Sequence, residues 1–123
     1  MPFYHAVVFI NHEAARIVQF DADHVLVQKV AQHVHVTRQH NSGVRTEHEF
    51  LAEVCDALEG IKEILMTGSK MPQADFRRYV TKHRPALVKQ IVGWRTTDHV
   101  TEDQLLELAR EFFAEHARLA PSL

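Results

Sequence analysis

An α/β domain on a mixed five-stranded sheet, with elements in the order βββαβαβα and three main helices, is the fold class this sequence predicts. Three observations lead there. Three short apolar runs rich in β-branched residues come first, joined by segments that contain Asn or Asp. Thr46 with Glu49 and Thr101 with Gln104 have capping-box spacing, and each precedes residues that are apolar at helical intervals. Strand-like and helix-like segments then alternate through the second half, which implies parallel pairing there and right-handed crossovers.

The first strands are "HAVVFI" (His5 to Ile10), "ARIVQF" (Ala15 to Phe20) and "HVLVQKV" (His24 to Val30). Their joints, "NHEA" and "DAD", are short and tolerate turn geometry, so consecutive strands pair as antiparallel hairpins. A helix starts near Glu47, because Phe50, Leu51, Val54, Leu58 and Ile61 recur at its spacing up to Gly60 and just past it. "EILMTG" (Glu63 to Gly68) reads as a buried strand, and Pro72 suits the first turn of the helix that follows. Phe76, Tyr79, Val80 and His83 share the inner face of that helix. Pro85 interrupts it and leaves "PALVKQ" as a separate short turn of helix. "IVGWRT" (Ile91 to Thr96) is the fifth strand, and Leu105, Leu106, Ala109, Phe112 and Phe113 stripe the last helix.

With 123 residues, the expectation is one domain over residues 1–123. The formal net charge of −2 does not call for a polyanion, but its distribution is uneven. From Lys70 to Arg95, the cations Lys70, Arg77, Arg78, Lys82, Arg84, Lys89 and Arg95 stand against Asp75 alone. From Asp98 to Glu115 the balance inverts, giving the last helix an acidic outer side. The single cysteine, Cys55, lies on an apolar-periodic segment and suits packing in a reduced compartment. No signal-peptide pattern and no membrane-length apolar run is visible, so the expectation is a cytoplasmic protein without a membrane partner.

The stretch "HVHVTRQHNSGVRTEHEF" (His33 to Phe50) concentrates imidazole and guanidinium between the third strand and the first helix. On extended backbone His33 and His35 point the same way, and with His40 or His48 they offer a permissive transition-metal set. The plainer reading is exposed strand-end and loop histidines. Arg38, Gln39, His40, Asn41 and Arg45 are the loop candidates for RNA phosphate or base contact. In "DFRRYVTKHR", the cations Arg77, Arg78, Lys82 and Arg84 form either a solvated face or a phosphate-facing surface. Phe76, Tyr79 and Trp94 are assigned to the core rather than to base stacking. Ser42 and Ser69 lack a nucleophile-elbow context, and "TGSK" has too few glycines for a phosphate loop.

The element order resembles the ribonuclease H-like fold, a three-layer arrangement. A two-metal nuclease on it needs carboxylates on the first strand, the first helix and the fourth strand; Glu47 or Glu53 could serve from the helix, but "VVFIN" and "ILMTG" carry none. With its basic loop, the chain is similar to the middle domain of the archaeal and eukaryotic peptide-release factors and Pelota, and most to small stand-alone bacterial versions of that domain. The phrases that carry the resemblance are "RQHNSGVRTEHEFLAEVCDAL", "EILMTGSKMPQADFRRYVTKHRPALVKQIVGW" and "TTDHVTEDQLLELAREFF".

In that family the loop holds Gly-Gly-Gln, which serves peptidyl-tRNA hydrolysis. Here only Gly43 and Gln39 stand near that place, and Gln39 follows Arg38. The resemblance therefore implies the fold and a ribosome or tRNA environment, without ester hydrolysis. The resulting expectation is a non-catalytic translation domain with no cofactor and no DNA specificity. A metal or small-molecule site in the histidine-rich loop, or a homodimeric interaction module, is the alternative.

Overall fold

The computed structural model describes residues 3–32 and 42–119, together with their side chains except those of residues 42–46. One sheet runs in the order β3-β2-β1-β4-β5. Its strands are β1 (His5–Ile10), β2 (Ala14–Phe20), β3 (Val25–Ala31), β4 (Glu63–Gly68) and β5 (Ile91–Thr96). The helices are α1 (Ser42–Ala57), α2 (Lys70–His83), the short α3 (Pro85–Val88) and α4 (Glu102–Leu119). β1 with β2 and β2 with β3 are antiparallel, while β1 with β4 and β4 with β5 are parallel. The expected mixed five-stranded sheet, three antiparallel strands followed by two parallel ones, is therefore the one observed.

Side-chain oxygens hold the two hairpins. Asn11 Oδ1 accepts the N–H groups of Glu13 and Ala14 at 2.8 and 2.9 Å. Asp21 Oδ1 accepts those of Asp23 and His24 at 2.8 and 2.6 Å, and these bonds hold the Asp21 carboxyl below its ordinary pKa.

The central strands are buried on both faces, which is why β1 and β4 read as nearly continuous apolar runs. On one face Val8, Ile10, Ile17, Ile64 and Met66 pack under α1 and α2, against Leu51, Val54, Leu58, Phe76 and Val80. On the other, Val7, Phe9, Val18, Phe20 and Leu65 lie under α4, against Leu105, Ala109 and Phe113. Burying each such large aliphatic or aromatic side chain stabilises the fold by roughly 1.5–3 kcal/mol. Cys55 belongs to the first cluster, and its burial pushes the thiol up to about 11, as befits a packing residue.

Several boundaries and faces differ from the sequence expectation, among them the end of α1, which stops at Ala57 instead of reaching Gly60. Helix α1 begins at Ser42 instead of near Glu47, so the backbone is already helical through "SGVRT". β2 begins one residue earlier, at Ala14, and β3 spans Val25–Ala31 because the Asp21 turn takes His24. His83 is exposed rather than on the inner face of α2; Phe76 and Val80 are fully buried and Tyr79 is half-buried. Trp94 packs against the core, although only partly buried.

Pro85 does end α2, and α3 starts on it. The capping box of α4 also closes: Thr101 N–H donates to Gln104 Oε1 at 3.0 Å and Gln104 N–H to Thr101 Oγ1 at 3.2 Å. Thr101→Ala is expected to lower stability by about 1 kcal/mol, read from the midpoint of a urea melt.

Candidate nucleic-acid interface

Parallel α/β sheets bind ligands beyond the carboxyl ends of their strands, so that end of β1 is the first place to look. A crevice of about 190 Å³ lies there, lined by Ile10, Asn11, His12 and Gln32 from the strand ends, Glu47, Phe50 and Leu51 from α1, and Pro72 and Asp75 from α2. It continues along the seam of the two helices into a groove of about 240 Å³, which shares Glu47, Leu51 and Asp75 and adds His48, Arg78, Tyr79, Lys82 and His83. Residues 33–41 join β3 to α1, whose first turns flank this crevice.

The groove contains an aromatic cluster. The His48 ring lies 5.7 Å from Tyr79 and 6.0 Å from His83, and Tyr79 lies 4.7 Å from His83, centroid to centroid. Sequence reasoning set Tyr79 and His83 on one face of the second helix but did not connect His48 with them. His48 is on α1 and the others are on α2, so only the tertiary packing of the helices brings them together.

The four cations of the second-helix segment do not form one face. Successive helix residues are turned by about 100°, so neighbours such as Arg77 and Arg78 project from different sides. Arg77 leans over Trp94, its guanidinium 5.5 Å from the ring centroid, toward β5. Arg78 and Lys82 face the α1 groove. Arg78 is paired with Asp75, and Arg84 lies beyond the helix, bonded to Asp56 at 2.7 Å. That bond raises the pKa of the Arg84 guanidinium further. Among the described residues, Arg77 and Lys82 have no carboxylate partner.

Arg38, Gln39, His40 and Asn41 lie outside the described residues, as do His33 and His35, and Arg45 lies in α1 with its side chain undescribed. No group of three or more His, Cys, Asp or Glu side chains suited to a metal ion occurs among the described residues. Of the carboxylates weighed for a nuclease, Glu47 lines the crevice and Glu53 is exposed. No described helix is long and apolar enough to cross a membrane.

A feature with no sequence signal is a cavity of about 600 Å³ between β5 and α4. Its walls include Val92, Leu108 and Phe112, with Arg95, Thr97 and His116 among its polar groups. It forms because one helix cannot cover the full width of the sheet.

No family model matches the chain, and no curated protein matches it by sequence. Solved structures do match in shape. Pelota from Archaeoglobus fulgidus superposes with a TM-score of 0.63 at 16% identity, over 87% of this chain and 30% of Pelota. The archaeal translation termination factor aRF1 superposes with a TM-score of 0.53 at 12% identity, over 93% of this chain and 41% of that one. The likeness is one of fold, and this chain spans less than half the length of either protein.

Proposed function

We propose that this chain is a bacterial relative of the release-factor middle domain, working in the cytoplasm. In this reading it contacts ribosomal RNA or tRNA and catalyses no reaction. The observation that carries the reading is the likeness of the fold, over most of this chain, to a translation termination factor. The charge arrangement narrows it to part of the basic segment read from the sequence, because its cations do not share one face. Of Arg77, Arg78, Lys82 and Arg84, Arg77 and Lys82 have no carboxylate to give up to a phosphate, whereas Arg78 and Arg84 must first give up Asp75 and Asp56. Arg38, Gln39, His40, Asn41 and Arg45 supply the contacts of the loop. Tyr79, His48 and His83 border the same groove, where rings and cations together suit an unpaired stretch of RNA.

Fluorescence-anisotropy titration against tRNA and ribosomal subunits, repeated across salt, tests the reading. Binding is expected to weaken steeply with salt. Arg77→Ala and Lys82→Ala are each expected to reduce the slope of log K against log salt by about 0.7–0.9. Arg78→Ala and Arg84→Ala are expected to change it less. Affinity that stays undetectable at low salt overturns the reading.

A further inference from the structure

Edge strand β3 is the anomaly of this surface. Val25, Leu26 and Val27 follow one another along it at 46, 51 and 40% exposure, on both faces of the sheet. Isolated exposed apolar residues are ordinary, but a contiguous run on an open edge is a template for strand addition. The other edge, β5, is blunted. Its register shifts opposite Ile64 and Leu65, and the guanidiniums of Arg77 and Arg95 stack over Trp94 and Phe112 beside it. Among the described residues β3 has no such device: it pairs without interruption from Ala14↔Ala31 to Phe20↔Val25, and Lys29 is its one charged residue.

The register also says which backbone groups are free. Asp21 N–H donates to His24 C=O at one end of the hairpin, and Gln32 N–H to Glu13 C=O at the other. Hydrogen-bonded pairs alternate along an antiparallel ladder, so Leu26, Gln28 and Val30 turn their amides toward β2. The N–H and C=O groups of Val25, Val27, Lys29 and Ala31 therefore point away from the sheet.

We propose that a second copy of this chain pairs on this edge, β3 antiparallel to β3, about a two-fold axis through Leu26. Identical strands related by a two-fold axis in this way run antiparallel, and the outward amides of both copies meet when the axis passes through a residue. An axis through Val27 sets Val25 opposite Lys29 of the second copy, and one through Gln28 sets Val27 opposite it. Both place an ammonium against valine. The axis through Leu26 instead sets Val25 opposite Val27 of the second copy, twice, and Leu26 against its own counterpart. At both ends it brings Asp23 beside Lys29 of the second copy, and neither residue has an ion-pair partner among the described residues. Charge complementarity thus selects one register, and it does so independently of any RNA contact.

Analytical ultracentrifugation of the full chain over a concentration series tests this. The expected result is a mass that rises to that of two chains. Leu26→Lys is expected to return it to one chain with thermal stability kept, since that side chain is half-exposed in the monomer. Asp23→Lys is expected to weaken the dimer about tenfold, and Asp23→Lys combined with Lys29→Asp to restore it. A one-chain mass at every concentration, or a dimer indifferent to Leu26→Lys, overturns the pairing. A dimer lost with Leu26→Lys yet indifferent to Asp23→Lys overturns the register.

Discussion

Gly68→Ala is expected to leave little folded protein, with a loss of stability of about 4 kcal/mol or more. Gly68 has φ +121°, and a Cβ there would lie 2.1 Å from the carbonyl oxygen of Ile10 and 2.7 Å from its nitrogen. Those are backbone atoms of the neighbouring central strand, so nothing can swing aside. Nor can Gly68 retreat freely, because its own carbonyl accepts Thr97 N–H at 3.0 Å and Gln73 Nε2 at 2.9 Å. Gly93→Ala makes the informative comparison. Its Cβ would meet the Phe112 ring at 2.5 Å, but that is the far end of a half-buried side chain that can rotate. Guanidinium melts of the two variants should therefore differ widely, and similar midpoints would refute the account of Gly68.

Phe76→Ala is expected to cost about 3–5 kcal/mol, because the ring is fully buried between α2 and the sheet and its removal leaves a cavity. Phe76→Leu should retain most of the stability, losing on the order of 1 kcal/mol. The substitution also reaches the surface. Phe76 stands 6.4 Å from Trp94, centroid to centroid, and the Arg77 guanidinium lies over the Trp94 ring. Trp94 is the single tryptophan of the chain, so its emission reports the change directly. A red shift in still-folded Phe76→Ala is expected, and unchanged emission with unchanged stability would refute this packing.

The sheet was legible because its chemistry is local. β1 and β4 are buried on both faces and must be apolar without alternation, and Asn11 and Asp21 build their turns from their own side chains. The α4 capping box is equally local. The start of α1 was misread because the Thr46 and Glu49 spacing drew attention to Glu47, while the helical backbone extends to Ser42, through residues with no apolar period. Ser and Gly are tolerated at a helix entry, where they cost little.

The basic surface was legible as a count of charges but not as a shape. The helical turn between Arg77 and Arg78 separates them, and Asp56, which neutralises Arg84, is remote in the sequence. Tyr79 and His83 are one helical turn apart, but the approach of His48 to them has no local signature. It comes from the packing of α1 on α2.

The two faces of the sheet are not closed together. α1 and α2 precede β5 in the chain, whereas α4, the last described element, is what covers Val7, Phe9, Val18, Phe20 and Leu65. During synthesis an apolar wall therefore stands open to water and to other nascent chains after the strands have assembled. A helix that nucleates from its own first turn shortens that interval, and Arg16, bonded to the Val100 carbonyl at 2.8 Å, tethers the entry to that helix against the strand it must cover. The interval for which that wall stays open is set by how soon α4 docks on it.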